Sequence, residues 1–110
     1  LPWTLSHDAP VTPSPSVLAL VDAAVNRRTA SGSVIGPDER VTPYAALGAV
    51  TRSAAYQIKE DKSKGTLEVG KLADMVVLSA NPLKVDPATI KDIQVVRTFK
   101  EGVTVYEAKP

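Results

Sequence analysis

The residue pair with the clearest chemical potential stands near the start of the chain, where His7 precedes Asp8. A carboxylate can ligate a divalent cation and accept a proton, and an imidazole can do the same work. On residue types alone, an isolated Asp in such a place is more simply a cap or a turn residue. His7 is the only histidine and there is no cysteine, so the sequence offers too few ligands for a catalytic zinc, which needs three or four. We therefore expect no tight metal binding by this chain alone.

A second group of charged residues and glycines lies between residues 65 and 78. Lys71 and Asp74 are residue types that can act together as a catalytic base. Both fall where a turn enters a strand, far along the chain from Asp8. We predict structural roles for both. Gly65 and Gly70 are likewise predicted to serve a turn and a strand entry, because neither opens a helix as a phosphate-binding loop must.

Charge and composition narrow the classes of partner. Thirteen basic and twelve acidic residues leave a net charge of +1, and no run of Lys or Arg marks a surface for nucleic acid. The sequence has no apolar run of membrane-spanning length, so we expect no membrane partner. The lack of cysteine excludes disulfides but leaves the compartment undecided between cytoplasm and periplasm. The first residues resemble neither a translation start nor a signal peptide, which suggests a fragment.

The elements that must position these residues can be read from proline and apolar spacing. Residues 3–8 suit a strand that ends in a proline-broken loop. Ser14 and Pro15 predict the start of a helix over residues 15–28, with an apolar stripe of Val17, Leu20, Val21, Ala24 and Val25. Residues 29–40 are predicted to be a loop because Gly and Pro interrupt every regular pattern.

The second half of the chain changes from a helical to a strand period. Thr42 and Pro43 predict a capped helix over residues 43–58, buried along Ala46, Leu47, Val50, Ala54 and Ile58. The apolar run 75–78 suits a strand covered on both faces, and residues 93–99 and 103–106 flank a glycine-containing connection typical of an antiparallel hairpin. The element order is therefore strand, helix, loop, helix and small sheet.

Residues 65–78, with the sequence GTLEVGKLADMVVL, resemble the C-terminal signature of the amidohydrolase superfamily. The likeness extends upstream through TPYAAL at 42–47 and downstream through Asn81, Pro82, Gly102 and Tyr106. The SHDAPV segment at 6–11 is similar to the final barrel strand of the amidohydrolase-3, YtcJ-like branch. The resemblance covers most of the chain.

The resemblance implies a fold class and a division of the chain. The expected fold is α+β, a fragment comprising the last strand of a (β/α)8 barrel, two helices and a small, mainly antiparallel sheet. Residues 1–62 would end the barrel, and residues 63–110 would form the C-terminal part of the β-sandwich domain. The family's divalent metal, zinc by expectation, would be held largely by histidines on earlier strands, which this chain does not contain. No cofactor is expected in this chain by itself.

The resemblance also assigns roles to single residues. Asp8 matches the superfamily's last-strand aspartate, which ligates the metal and takes a proton from the attacking water. His7 departs from the small residue common at its position. Strand alternation would turn it away from Asp8, so we expect a supporting role, with substrate contact or metal ligation as the alternative. Arg27 matches an arginine of this branch, but we expect it to serve the helix end and solvent.

Three functional hypotheses remain open from the sequence. The first is a longer parent protein that hydrolyses a carbon–nitrogen bond in a small, non-peptide amide, with this chain inactive by itself. The second is a non-catalytic protein on the same framework that regulates secreted enzymes. A His-x-His pair near the parent's start would favour the first. The third is a free-standing interaction module, which a stable partner complex would favour. Helix stripes that lack a covering layer also predict self-association.

Overall fold

The computed structural model describes residues 1–8 and 15–110, which form an α+β arrangement. Within these residues the helices are α1 (Val17–Asn26), α2 (Pro43–Val50) and α3 (Arg52–Gln57), and the strands are β1 (Met75–Leu78), β2 (Val95–Lys100) and β3 (Val103–Glu107). Short 3₁₀ turns occur at Pro37–Glu39 and Pro87–Asp92. The predicted α+β class and element order are confirmed, apart from the first strand. No helix in this described part is long and apolar enough to cross a bilayer.

The first eight residues form no strand, so the prediction for residues 3–8 is wrong. A strand exists only beside a partner that completes its backbone hydrogen bonds. The described strands pair among themselves in the order β1-β2-β3 and leave none for this segment. We call residues 1–8 the arm. The alternation argument that turned His7 away from Asp8 loses its basis.

Helix α1 is shorter than predicted at both ends. It begins at Val17, where the side chain of Ser16 accepts a hydrogen bond from the amide of Ala19. The predicted cap, Ser14, lies outside the described residues. At the other end Arg27 adopts a left-handed conformation with φ of 55°, and its amide donates to the carbonyl of Ala23. This conformation stops the helix at Asn26.

The predicted helix over residues 43–58 is two helices. Its start is confirmed, because the Thr42 hydroxyl accepts a hydrogen bond of 3.2 Å from the amide of Ala45. At Thr51 the backbone leaves the helical region, with φ of −123° and ψ of −93°. The Thr51 hydroxyl donates to the carbonyl of Leu47 at 2.7 Å, a local bond that competes with regular helix geometry. Helix α3 therefore starts after a break at Thr51.

The core lies between α1, α2 and the Pro87–Asp92 turn. Val21, Val25, Ala46 and Ile90 form its buried centre. Ile90 belongs to the turn, which the sequence pattern did not assign. The predicted α1 stripe is correct at Val21 and Val25, but Val17 is 52% exposed and Leu18 is buried instead.

The sheet is fully antiparallel, as predicted for the hairpin. Lys100 pairs with Val103, and the two residues between them, Glu101 and Gly102, both have positive φ, at 51° and 81°. Two positive φ values suit the twist of a tight two-residue hairpin loop. The strand assignment for β1 is confirmed, but the prediction of cover on both faces is wrong, since Val76 is 51% and Val77 is 45% exposed. No helix of the described part lies flat on this strand to cover it.

Candidate functional site

The arm carries the predicted site residues and lies against the helices. Leu5 packs against the buried core. The hydroxyl of Thr4 donates a hydrogen bond of 2.9 Å to the side-chain carbonyl of Gln57, the last residue of α3. Trp3 and Thr4 also share a small surface cleft with Ser53 and Tyr56. The arm is thus held by side-chain contacts with the core and α3, and not by strand pairing.

His7 and Asp8 follow these contacts at the end of the described arm. The His7 side chain is half-buried, whereas Asp8 is exposed to solvent. Among residues 1–8 and 15–110, no three His, Cys, Asp or Glu side chains come together as a metal site. The described residues therefore do not fit the metal that the family resemblance implies. Such a metal would need ligands from outside this part of the chain.

A groove of about 770 Å³ opens beside the arm. The arm lines it with Thr4, Leu5 and Ser6, and the 65–78 motif lines it with residues that include Gly65 and Met75. The helical part of the lining is largely apolar and includes Val50 of α2, Ala54 and Ala55 of α3, and Ile58 just after α3. Asp8 does not line the groove. The groove therefore separates the helical cluster from the sheet beside the candidate site, without enclosing the carboxylate.

Lys71 closes the loop between α3 and β1. Its ammonium donates to the carbonyl of Asp61 and to the hydroxyl of Thr66, both at 2.7 Å, and lies 2.8 Å from a Glu68 carboxylate oxygen. The Lys71 side chain is only 15% exposed. Its hydrogen bond lowers the pKa of the Glu68 carboxyl, with help from Thr66. These contacts confirm the structural role predicted for Lys71.

Asp74 joins the start of β1 to the hairpin loop. Its carboxylate accepts a hydrogen bond of 2.8 Å from the Glu101 amide and lies 3.2 Å from the Lys100 ammonium. The Glu101 amide is the main reason that the pKa of Asp74 lies below its ordinary value. The Gly102 amide completes the connection by donating to the Ala73 carbonyl at 3.0 Å. Asp74 is therefore structural, as predicted.

Both motif glycines lie outside the helices and strands with φ of 94°, Gly65 in a bend and Gly70 in a turn, and neither opens a helix, as predicted. They differ in their surroundings. A Cβ at Gly65 would lie 2.6 Å from the Cβ of Ala55, whereas a Cβ at Gly70 would meet nothing within 4 Å. Gly65 thus lets the motif approach α3 closely, at a point that lines the groove.

Arg27 also has a structural role, but a different one from that expected. Its guanidinium donates to the carbonyl of Ile35 at 3.1 Å, while the Ile35 amide donates to the carbonyl of Arg27 at 2.9 Å. Asn26 next to it bonds both Asp22 and the Pro87 carbonyl at 2.9 Å. The end of α1 is therefore tied to the following loop and to the Pro87–Asp92 turn.

Sequence reasoning missed Thr4 and Gln57. Their bond joins residues 53 positions apart, and neither residue carries a charge or belongs to a motif that would single it out. Gln57 is the last residue of α3, so this contact joins the end of that helix to the arm.

Comparison with known proteins decides the family. The amidohydrolase family model matches residues 1–106. The chain belongs to the amidohydrolase family. This amidohydrolase chain is 36% identical over 84 residues to an N-substituted formamide deformylase of Arthrobacter pascens, a match covering 76% of this chain and 16% of the relative. It is 30% identical over 102 residues to YtcJ of Bacillus subtilis strain 168, which is named an amidohydrolase, covering 91% of this chain and 19% of that protein.

A solved structure shows the same fold in another amidohydrolase. The crystal structure of an amidohydrolase from Thermotoga maritima MSB8 matches 98% of this chain with a TM-score of 0.73 at 22% identity. The match covers 24% of the Thermotoga chain. This amidohydrolase chain therefore spans about a fifth of the length of the relatives that it matches.

Proposed function

We propose that this chain is the C-terminal part of a hydrolase that cleaves a carbon–nitrogen bond in a small, non-peptide amide, with Asp8 as its catalytic carboxylate. Family membership carries the reaction class, and the name of the Arthrobacter relative, an N-substituted formamide deformylase, supports an amide substrate. Within the proposed parent, residues 1–62 would end the catalytic barrel, and residues 63–110 would belong to the β-sandwich.

The position of Asp8 supports its proposed role because its side chain is exposed to solvent. Lys71 binds the carbonyl of Asp61 and Asp74 binds the amide of Glu101, so both charged groups of the motif make structural contacts with neighbouring segments. Asp8 is exposed at the end of an arm whose preceding residues are anchored. A carboxylate that is accessible to solvent can accept a proton from a water that attacks the amide carbonyl. Return of that proton to the departing nitrogen would complete the hydrolysis.

The described residues support only a part of such a site. They bring together no group of three side chains that could hold a metal ion. We propose that a divalent cation of the parent, zinc by preference, takes most of its ligands from outside this chain and Asp8 as the ligand from within it. Half-buried His7 is proposed to support Asp8 or contact substrate. By itself the chain is proposed to be inactive.

The large accessible surface of the chain supports the proposal that it is part of a longer protein. Its accessible area is 7933 Å², whereas a folded chain of 11.6 kDa would expose about 5,800 Å². The excess includes apolar strand residues such as Val76 and Val105. Further protein of the parent would cover this surface.

The test of the reaction class is hydrolysis by the parent protein. We expect purified parent to release formate and an amine from an N-substituted formamide, or to cleave another small amide in a panel of N-acyl and cyclic amides. Removal of bound metal by a chelator should abolish turnover, and zinc should restore it. Absence of turnover on the whole panel by metal-loaded parent would contradict the proposal and favour a non-catalytic protein.

A further inference from the structure

A polar pocket of about 310 Å³ opens where the end of α1, the loop after it and the Pro87–Asp92 turn meet. Its lining includes Asp22 and Asn26 of α1, Arg28 of the loop and Lys91 of the turn. We call it the α1 pocket. It shares no lining residue with the groove beside the arm. Its volume lies at the lower end of the range for pockets that bind small molecules.

The α1 pocket contains opposite charges that are not joined as ion pairs. Asp22 is half-buried in its wall, whereas Arg28 and Lys91 are exposed. In the part of the chain that the structure describes, the ion pairs all join other residues, and neither Arg28 nor Lys91 makes a side-chain hydrogen bond. Opposite charges that line one pocket but stay apart are complementary to a ligand that carries two separated charges of its own.

Asn26 holds the acidic side of the pocket in place. Its side-chain amide donates one hydrogen bond of 2.9 Å to the Asp22 carboxylate and another of 2.9 Å to the carbonyl of Pro87. The carbonyl oxygen of the same amide accepts no hydrogen bond from another described residue. A carboxylate beside an amide carbonyl offers acceptors only, which suits an ammonium group with its three donors.

The basic side of the pocket comes from two separate segments. Arg28 pairs with Val34 in an isolated β-bridge, and the amide of Thr29 donates to the carbonyl of Ser33 at 2.8 Å, so the loop backbone is fixed there. Lys91 belongs to the last turn of the 3₁₀ segment after β1. A guanidinium and an ammonium group both form charge-assisted hydrogen bonds with a carboxylate.

We propose that the α1 pocket binds a small amino acid in its zwitterionic form. The carboxylate of the ligand pairs with Arg28 and Lys91, and its ammonium group pairs with Asp22. Ala30 and Ala88 also line the pocket, so a short apolar side chain can contact their methyl groups. Binding of this kind makes and breaks no covalent bond, and it does not depend on the reaction proposed for the parent.

Calorimetric titration of the parent protein with L-alanine tests the ligand class. Propionate lacks the ammonium group of L-alanine, and ethylamine lacks its carboxylate. We expect each of the two to bind about tenfold or more weakly than L-alanine, because each loses one set of charge-assisted hydrogen bonds. Propionate that binds as tightly as L-alanine would overturn the proposal. The absence of L-alanine binding up to about 10 mM would also overturn it.

Single substitutions in the parent locate the bound L-alanine. Asp22→Asn keeps an acceptor for Asn26 but removes the charge, and Arg28→Gln removes the guanidinium, so each should weaken L-alanine binding by about tenfold. Lys84→Gln, at an exposed lysine outside the pocket, is the matched control and should leave the affinity unchanged. Asp8→Asn should also leave it unchanged, which separates this site from the proposed reaction. Unchanged affinity in Asp22→Asn or Arg28→Gln, with the fold intact by circular dichroism, would overturn the site, as would loss of binding in Asp8→Asn.

Discussion

At the scale of single residues, the motif at 65–78 uses its charged groups to bind the backbone of neighbouring segments. Lys71 holds the carbonyl of Asp61, and Asp74 holds the amide of Glu101. Gly65 provides the close approach to Ala55 that no other residue type allows. Residues that could look catalytic in the sequence are therefore the ones that shape one wall of the groove.

The two glycines of the motif provide a matched test of this account. Both have φ of 94°, so an alanine at either position carries the left-handed strain of about 1 to 2 kcal/mol. Gly65→Ala also forces its Cβ against Ala55, which should raise the total loss in free energy of unfolding to about 2 to 4 kcal/mol. Urea denaturation of Gly65→Ala and Gly70→Ala measures the difference. Equal losses would show that the predicted crowding at α3 does not exist.

At the scale of elements, local patterns predicted what local interactions build. The Thr42 cap and the hairpin turn depend on neighbours within a few residues, and both are present. Strand β1 is also present, although its partner β2 lies farther along the chain. The break at Thr51 was missed because the apolar spacing continues across it. The arm was predicted as a strand because its composition suits one, but a strand needs a partner that composition cannot supply.

Asp74 makes the connection between β1 and the hairpin sensitive to acid. Its pKa is lowered in the folded chain, mainly by the Glu101 amide, so its charged form favours folding. That contribution is present above the ordinary value of 3.8 and is lost as pH falls through the lower folded pKa. We expect the free energy of unfolding to decrease below about pH 4.

Asp74→Asn isolates this effect. The amide oxygen can still accept from Glu101, but the group no longer titrates, so stability should depend less steeply on pH between about 5 and 2. Asp38→Asn, at an exposed carboxylate in another loop, is the control. Denaturant melts at several pH values supply the slopes, and an unchanged slope in Asp74→Asn would contradict the role of Asp74.

At the scale of the whole molecule, the chain leaves a large part of its apolar surface exposed to solvent. Its radius of gyration is 14.6 Å, compared with about 13 Å for a compact domain of the same length. Among the described residues, Ile90 and Val21 are the largest side chains that are fully buried. The apolar residues of β1 and β3 remain in solvent on a three-stranded sheet.

We expect this surface to make the isolated chain self-associate. The apparent mass in sedimentation equilibrium should rise above 11.6 kDa with concentration, because exposed apolar strands favour burial against a second copy. Val76→Thr and Val105→Thr should weaken the association by removing apolar area while keeping strand-forming shape. A monomer at every concentration, with both strands still formed, would show that the surface is tolerated in water.

The candidate site could be predicted only in part. Asp8 was found through the resemblance of its segment, since an isolated carboxylate carries no signal in composition or spacing. The contact between Thr4 and Gln57 in the arm was not predicted, because the two residues are 53 positions apart in the sequence. The remaining ligands of the proposed metal belong to no residue of the described chain, so neither its sequence nor its fold can specify them.

The proposed reaction depends most on Asp8, and amide hydrolysis by the parent protein tests that role most directly. Asp8→Asn keeps the size of an exposed side chain while removing the charge that accepts the proton, so the melting temperature should hardly change. We predict that kcat for amide hydrolysis falls by about 10²- to 10⁴-fold, whereas Asp38→Asn leaves it unchanged. Hydrolysis by Asp8→Asn at the rate of the unsubstituted parent would contradict the central claim.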